Sequence, residues 1–121
     1  MAIDHVTLDV QDITASRKFY AAALRPLGYE ARFEFGESVG FGDERGVDFW
    51  IARRGEPSTT HVAISAPSRD AVERFHESAM AAGGRDNGEP GLRPQYHENY
   101  YAAYVIDPDG NNIEAVTHSP E

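Results

Sequence analysis

Residues 3–10 alternate, with Val6, Leu8 and Val10 on one face and His5, Thr7 and Asp9 on the other, the pattern of a strand that packs one face on a core. Asp12 is a candidate N-cap for a helix over about 13–24, where Phe19, Tyr20, Ala23 and Leu24 recur at helical spacing; Pro26 and Gly28 end it. Three short strands follow, over about 29–35, 38–42 and 47–53, separated by Gly36-Glu37 and by Gly42-Asp43-Glu44-Arg45-Gly46, which have the chemistry of hairpin turns. Gly55-Glu56-Pro57-Ser58 reads as a linker, and the order then begins again. A strand over 60–66 leads through Pro67-Ser68 into a helix over about 69–82, with Val72, Phe75, Ala79 and Met80 as its apolar stripe and Gly83-Gly84 as its stop. The stretch 85–99 is rich in glycine, proline and charge and is expected to hold at most one short strand. Tyr100–Ile106 and Asn112–Thr117 are the last two strands, joined by the turn Asp107-Pro108-Asp109-Gly110.

The two halves are one unit written twice. At the fixed offset that carries His5 onto His61, Val6 falls on Val62, Leu8 on Ile64, Lys18 on Arg74, Phe19 on Phe75, Ala23 on Ala79 and Gly28 on Gly84. Aligning the last turns of the halves on Gly46 and Gly110 sets Trp50 opposite Glu114, so the repeat holds for the fold and breaks at that position.

Composition narrows the partners. A chain of 121 residues with 40% hydrophobic content supports one modest core, and a single domain of two modules, about 1–55 and 59–119, is expected. With no cysteine, a metal would have to be held by His, Asp or Glu. The formal charge of −9, with one lysine and ten scattered arginines, argues against a nucleic-acid partner. No apolar run approaches the roughly 20 residues that span a bilayer, and no signal-peptide succession opens the chain, so no membrane partner and a cytoplasmic location are expected. A small molecule is the expected ligand.

The opening Asp4-His5-Val6, with Asp12, Ser16, Phe19-Tyr20 and Leu27-Gly28-Tyr29, and the closing Asp107-Pro108-Asp109-Gly110-Asn111-Asn112-Ile113-Glu114 resemble the vicinal oxygen chelate superfamily. That group includes glyoxalase I, extradiol dioxygenases, fosfomycin-resistance thiol transferases and bleomycin-resistance proteins. The resemblance covers essentially the whole chain and implies an α+β fold of paired βαβββ modules, their sheets curled around a central cavity often completed by a homodimer. One fold hosts many chemistries, so it specifies architecture better than reaction.

Strand parity supplies a candidate metal set. Val6, Leu8, Val62, Ile64, Ile113 and Ala115 share the face toward the helices, and His5, His61 and Glu114 share the opposite one. Two imidazoles and a carboxylate suit a divalent Fe, Mn, Zn, Ni or Co ion with positions left open, and these are also the ligand positions the resemblance transfers. In glyoxalase I a fourth ligand, a glutamate, comes from the fourth strand. Trp50 stands there in this chain and has no lone pair for a metal, with Asp48 two residues away on the same face. The three-ligand set is closer to that of the thiol transferases and extradiol enzymes. Glu114 and His97 are the candidates for moving protons, and Trp50, Tyr96, Tyr100, Tyr104 and Arg93 for holding substrate. His76 and His118 receive no role.

Three functions follow. The first is a metal-dependent enzyme acting on an oxygen-chelating small molecule by lyase, isomerase, thiol-transfer or ring-cleaving chemistry. The second is a metal-free protein that binds an antibiotic or metabolite, as bleomycin-resistance proteins do. The third is a structural or regulatory dimer with a vestigial pocket.

Overall fold

A computed structural model describes residues 3–57 and 59–121; Ser58 of the expected linker lies outside the described residues. The chain runs β1 (Val6–Asp9), α1 (Ile13–Leu24), β2 (Glu30–Phe35), β3 (Ser38–Asp43), β4 (Gly46–Ala52), β5 (His61–Ser65), α2 (Arg69–Ala81), β6 (Arg85–Leu92), β7 (Tyr101–Ile106) and β8 (Asn112–Thr117). Each βαβββ module makes its own four-stranded mixed sheet, in the orders β1-β4-β3-β2 and β5-β8-β7-β6. The expected pair of βαβββ modules is present; the two sheets are separate and do not close on one another.

Both helices start as their sequences dictate. The Asp12 carboxylate accepts from the Ala15 N–H at 3.0 Å and the Ser68 hydroxyl from the Ala71 N–H at 3.1 Å, each meeting a donor that the first turn leaves free. A 3-10 turn over Arg25–Leu27 ends α1, followed by Gly28 at φ 88°, a left-handed position that glycine takes without strain. In α2 the buried stripe is Ala71, Val72, Phe75 and Ala79. Met80, expected in that stripe, is exposed, because five residues beyond Phe75 a helical side chain has rotated past the buried face.

The register bears out the internal repeat. β1 runs parallel to β4 with Val6 opposite Phe49 and Thr7 opposite Trp50; β5 runs parallel to β8 with Val62 opposite Ile113 and Ala63 opposite Glu114. Trp50 and Glu114 therefore occupy the same place in their sheets, as the alignment of the two turns requires. Two expected boundaries move. The first strand begins at Val6, which leaves His5 outside it, whereas His61 is the first residue of β5. The stretch after Gly84 holds an eight-residue strand, β6, although it contains Gly88, Pro90 and Gly91. As an edge strand it needs ladder bonds on one side only, and register shifts at Gly88 and Gly91 absorb its irregularity.

The modules are joined by a core and a clasp. Tyr20, at 0% exposure, packs its ring on Phe41 and Phe49, and its hydroxyl donates to Asp107 in the turn between β7 and β8. Burial, and then the neighbouring Asp107 charge, hold the Tyr20 phenol protonated far above the ordinary tyrosine range. Asp109 accepts from the Gln11 N–H at 3.0 Å and the Ser16 hydroxyl at 3.3 Å. Asp107 also accepts from the Asp109 and Asn111 N–H groups, and Asn111 accepts from the Thr60 N–H at 2.8 Å. The Asp107-Pro108-Asp109-Gly110-Asn111 run is thus a structural latch between the second module and α1. Among the described residues no helix is long and apolar enough to cross a membrane.

Candidate functional site

Glu114 is the centre of the polar cluster. It lies on β8 facing away from α2 and is buried to 1% exposure, a costly position for a carboxylate unless both oxygens are met. Both are. Oε1 is 2.8 Å from His61 Nε2, and the Tyr100 hydroxyl donates to Oε2. The parallel register makes the first contact: His61 sits one pleat along β5 from Ala63, the direct partner of Glu114, and on the same face.

Around this pair the structure gathers most of the residues singled out from the sequence. The Tyr104 ring, on β7 directly opposite Glu114, lies 6.2 Å from the His61 ring. Gly88 makes room for it, since a Cβ there would come within 2.7 Å of the Tyr104 ring. The Arg93 guanidinium lies over the Tyr104 ring at 5.3 Å and donates to the Glu89 carbonyl at 2.8 Å. Tyr96 packs on Tyr100 at 4.9 Å, and His97 meets the same ring edge-on at 5.6 Å. Partial burial, and then the hydrogen bond to Glu114, raise the Tyr100 phenol well above the usual tyrosine range. Tyr100 therefore remains a proton donor to Glu114 at neutral pH.

His118 joins the cluster without having been expected. It stacks on His97 with ring centroids 4.6 Å apart, places Nδ1 2.5 Å from His97 Nε2, and meets Tyr100 edge-on at 5.4 Å. Nothing in the local pattern marks a histidine just past the last strand; the contact exists because the loop before β7 folds back over the end of β8.

His5 and Trp50 lie elsewhere. The His5 imidazole is half exposed and pairs with its neighbour Asp4 at 2.8 Å. Among the described residues no three His, Asp or Glu side chains converge closely enough to hold a metal ion, so one chain assembles only the His61 and Glu114 part of the expected set. Asp48, expected on the Trp50 face, falls instead at the register shift in β4, where Val47 takes that face; it accepts the Tyr29 hydroxyl across both oxygens, at 2.7 and 2.9 Å. Trp50 borders a separate cavity of about 420 Å³ on the outer face of the first sheet, walled by Phe33 and Phe35 with Arg54 at its end. The alternation of Phe33 and Phe35 with Arg32 and Glu34 was the available signal for that wall.

The family model for the Glyoxalase/Bleomycin resistance protein/Dioxygenase superfamily matches residues 2–115, and the chain belongs to that superfamily. The crystal structure of a glyoxalase/bleomycin resistance protein from Albidiferax ferrireducens T118 is similar at a TM-score of 0.87, with 31% identity over 97% of this chain and 99% of that one. The Bacillus subtilis (strain 168) protein YqjT is 26% identical over 95% of this chain and 98% of its own length. A glyoxalase-related enzyme from Fulvimarina pelagi shares the fold at a TM-score of 0.75 and 22% identity, over 97% of this chain and 88% of that one.

Proposed function

We propose that this chain is a divalent-metal-dependent enzyme of its superfamily acting on a small molecule with adjacent oxygen atoms, and that it works as a homodimer. The metal would be held by His61 and Glu114 of one chain and His5 of a second copy. The buried Glu114 carboxylate, 2.8 Å from the His61 imidazole, carries this reading. A deeply buried carboxylate and an imidazole converging on a sheet face are two-thirds of a 2-His-1-carboxylate set, and the histidine at the equivalent repeat position is half exposed and pairs with Asp4.

A bound divalent ion would supply Lewis acidity toward the substrate oxygens. The chain's own residues set up the surroundings. Tyr100 donates to Glu114 Oε2 and fixes the carboxylate plane; Tyr104 and Arg93 form a stacked wall beside His61. His97 is bonded to His118 and packs edge-on against the Tyr100 ring, which makes it a residue that positions Tyr100.

Metal analysis of protein purified without chelators tests the reading, with one ion per chain expected and loss of the ion in both His61→Ala and His5→Ala. An equal, reassembled mixture of the two variants should recover about a quarter of the wild-type metal, because half the dimers then contain one intact site. A mixture that recovers none would sink the shared site, and wild-type protein free of metal would sink the enzyme reading. The cavity beside Trp50 favours the second reading in that event, a binding protein without a metal.

A further inference from the structure

The outer face of the first sheet is built in two rows across the strands. Thr7 pairs with Trp50, Trp50 with Gly40 and Gly40 with Phe33; one step along, Asp9 pairs with Ala52, Ala52 with Ser38 and Ser38 with Phe35. Side chains on a sheet face stand side by side across the strands, so sizes along a row set the relief of the surface. Here Ser38 and Ala52 are small, and Phe33, Phe35 and Trp50 stand around them. The result is a trough with a low floor and aromatic sides.

Gly40 sets where the indole side of the trough lies. A Cβ at that position would lie 2.9 Å from the Trp50 ring carbons and 2.6 Å from Val47, so only glycine lets the indole lie down across β3. The Phe33 ring faces it at 5.9 Å, inclined at 54°. Phe33 and Phe35 are 56% and 76% exposed, in a chain whose other phenylalanines are buried. Exposed aromatic rings grouped around a cavity of about 420 Å³ mark a ligand site of small-molecule size.

The charge at the end of the trough selects among planar molecules. Arg54 lines it, and its Nε donates to Asp9 at 2.7 Å, which leaves its terminal nitrogens without a partner among the described residues. The Arg54 and Asp9 charges cancel, and the chain as a whole carries −9. An anionic ligand group would meet the Asp9 carboxylate and an adverse net field. A neutral carbonyl or hydroxyl oxygen meets neither and still accepts from the guanidinium, a charge-assisted bond.

We propose that the trough between Phe33, Phe35 and Trp50 binds a planar aromatic molecule of one or two rings carrying a neutral oxygen acceptor, which Arg54 receives. This deepens the function given above by naming its ligand class, and rests on that reading only in taking the bound molecule as substrate. No residue lining the cavity is one of the three proposed metal ligands.

Trp50 is the single tryptophan of the chain, so its fluorescence reports the site directly. The test titrates 2-acetylnaphthalene, its fully saturated decalin counterpart and 2-naphthoate into the full chain, with and without chelator, by Trp50 fluorescence and calorimetry. The ketone is expected to bind roughly tenfold tighter than the saturated counterpart and several-fold tighter than the carboxylate, equally well after chelation. Phe33→Ala, at an exposed site that leaves folding intact, should weaken the ketone roughly fivefold or more. Arg54→Met should abolish its advantage over plain naphthalene. Equal affinities for the ketone and the saturated ring, tighter binding of 2-naphthoate, or an unchanged affinity in Phe33→Ala would each overturn the proposal. A wild-type dimer that takes up none of the three probes would give this face to a second copy of the chain and overturn it as well. Ring binding by wild-type protein that carries no metal when purified without chelators would instead leave the proposal standing while the metal reading fails.

Discussion

The two sheets share one topology and present opposite chemistries at the same positions. Where the second sheet places Glu114, buried and held by His61 and Tyr100, the first places Trp50, lying over Gly40 and open to a cavity. Where His61 leads β5 as a strand residue, His5 stands just ahead of β1 and turns to Asp4. A repeated fold fixes which residues share a face but leaves the chemistry of each position free, because backbone ladders are indifferent to the side chains projecting from them. One half offers polar groups that can orient and ionise, and the other offers flat apolar surface. A site that needs both would draw on the two kinds of face.

The largest effect that would break this contrast comes from Glu114→Ala. It leaves His61 and Tyr100 without their acceptor and opens a space at a 1%-exposed position, and should cost about 2–4 kcal/mol in urea unfolding. Trp50→Ala, at the matching but partly exposed place, should cost less; equal losses would mean that the two positions are not functionally divided. Tyr20→Phe should cost about 1–3 kcal/mol by leaving Asp107 short of a buried donor, while metal content and the affinity of the ketone stay as in the wild type. A change in either would tie the latch to function.

Smaller effects sharpen the contrast. Because the folded Tyr100 phenol titrates above its ordinary value of 10, its contribution to stability is fully present below about pH 10 and disappears as the pH rises through the raised value. Tyr100→Phe should therefore flatten the stability loss above pH 10, as followed by circular dichroism, and remove one late-ionising tyrosine from the ultraviolet titration. Phe33→Ala should change stability by no more than about 0.5 kcal/mol, since its ring is 56% exposed, and act on ligand binding alone. A larger loss of stability would show that the aromatic trough is part of the core.

The repeat was legible because it is written in periodicity and caps. Asp12 and Ser68 start helices whose buried faces are set by Phe19 and Phe75, and the pairing of Trp50 with Glu114 followed from two glycine turns. The matched glycines show the limit of such reasoning. Gly28 is needed for its positive φ, whereas at Gly84 a Cβ would strike Val105 and Phe19 at 2.5 and 2.8 Å. One letter in the same slot answers a local demand in one half and a long-range contact in the other. Of the site, Glu114 and His61 share the face that parity assigned, and Tyr96, Tyr100 and Tyr104, named from the loop and the strand after it, gather beside them. His118, Arg54 and the Phe33–Phe35 wall were not reached, because their neighbours come from distant segments or from a face with nothing packed on it.

The sequence by itself determined the two modules, their strand faces, their helix ends and the family they belong to, since each follows from short-range spacing and backbone preference. Only the tertiary structure decided that Asp107 and Asp109 latch onto α1, that Glu114 has both oxygens satisfied, that His5 stays apart from His61, and that small residues under Trp50 open a trough. Those outcomes depend on which side chains meet across tens of residues, and no local pattern carries that information.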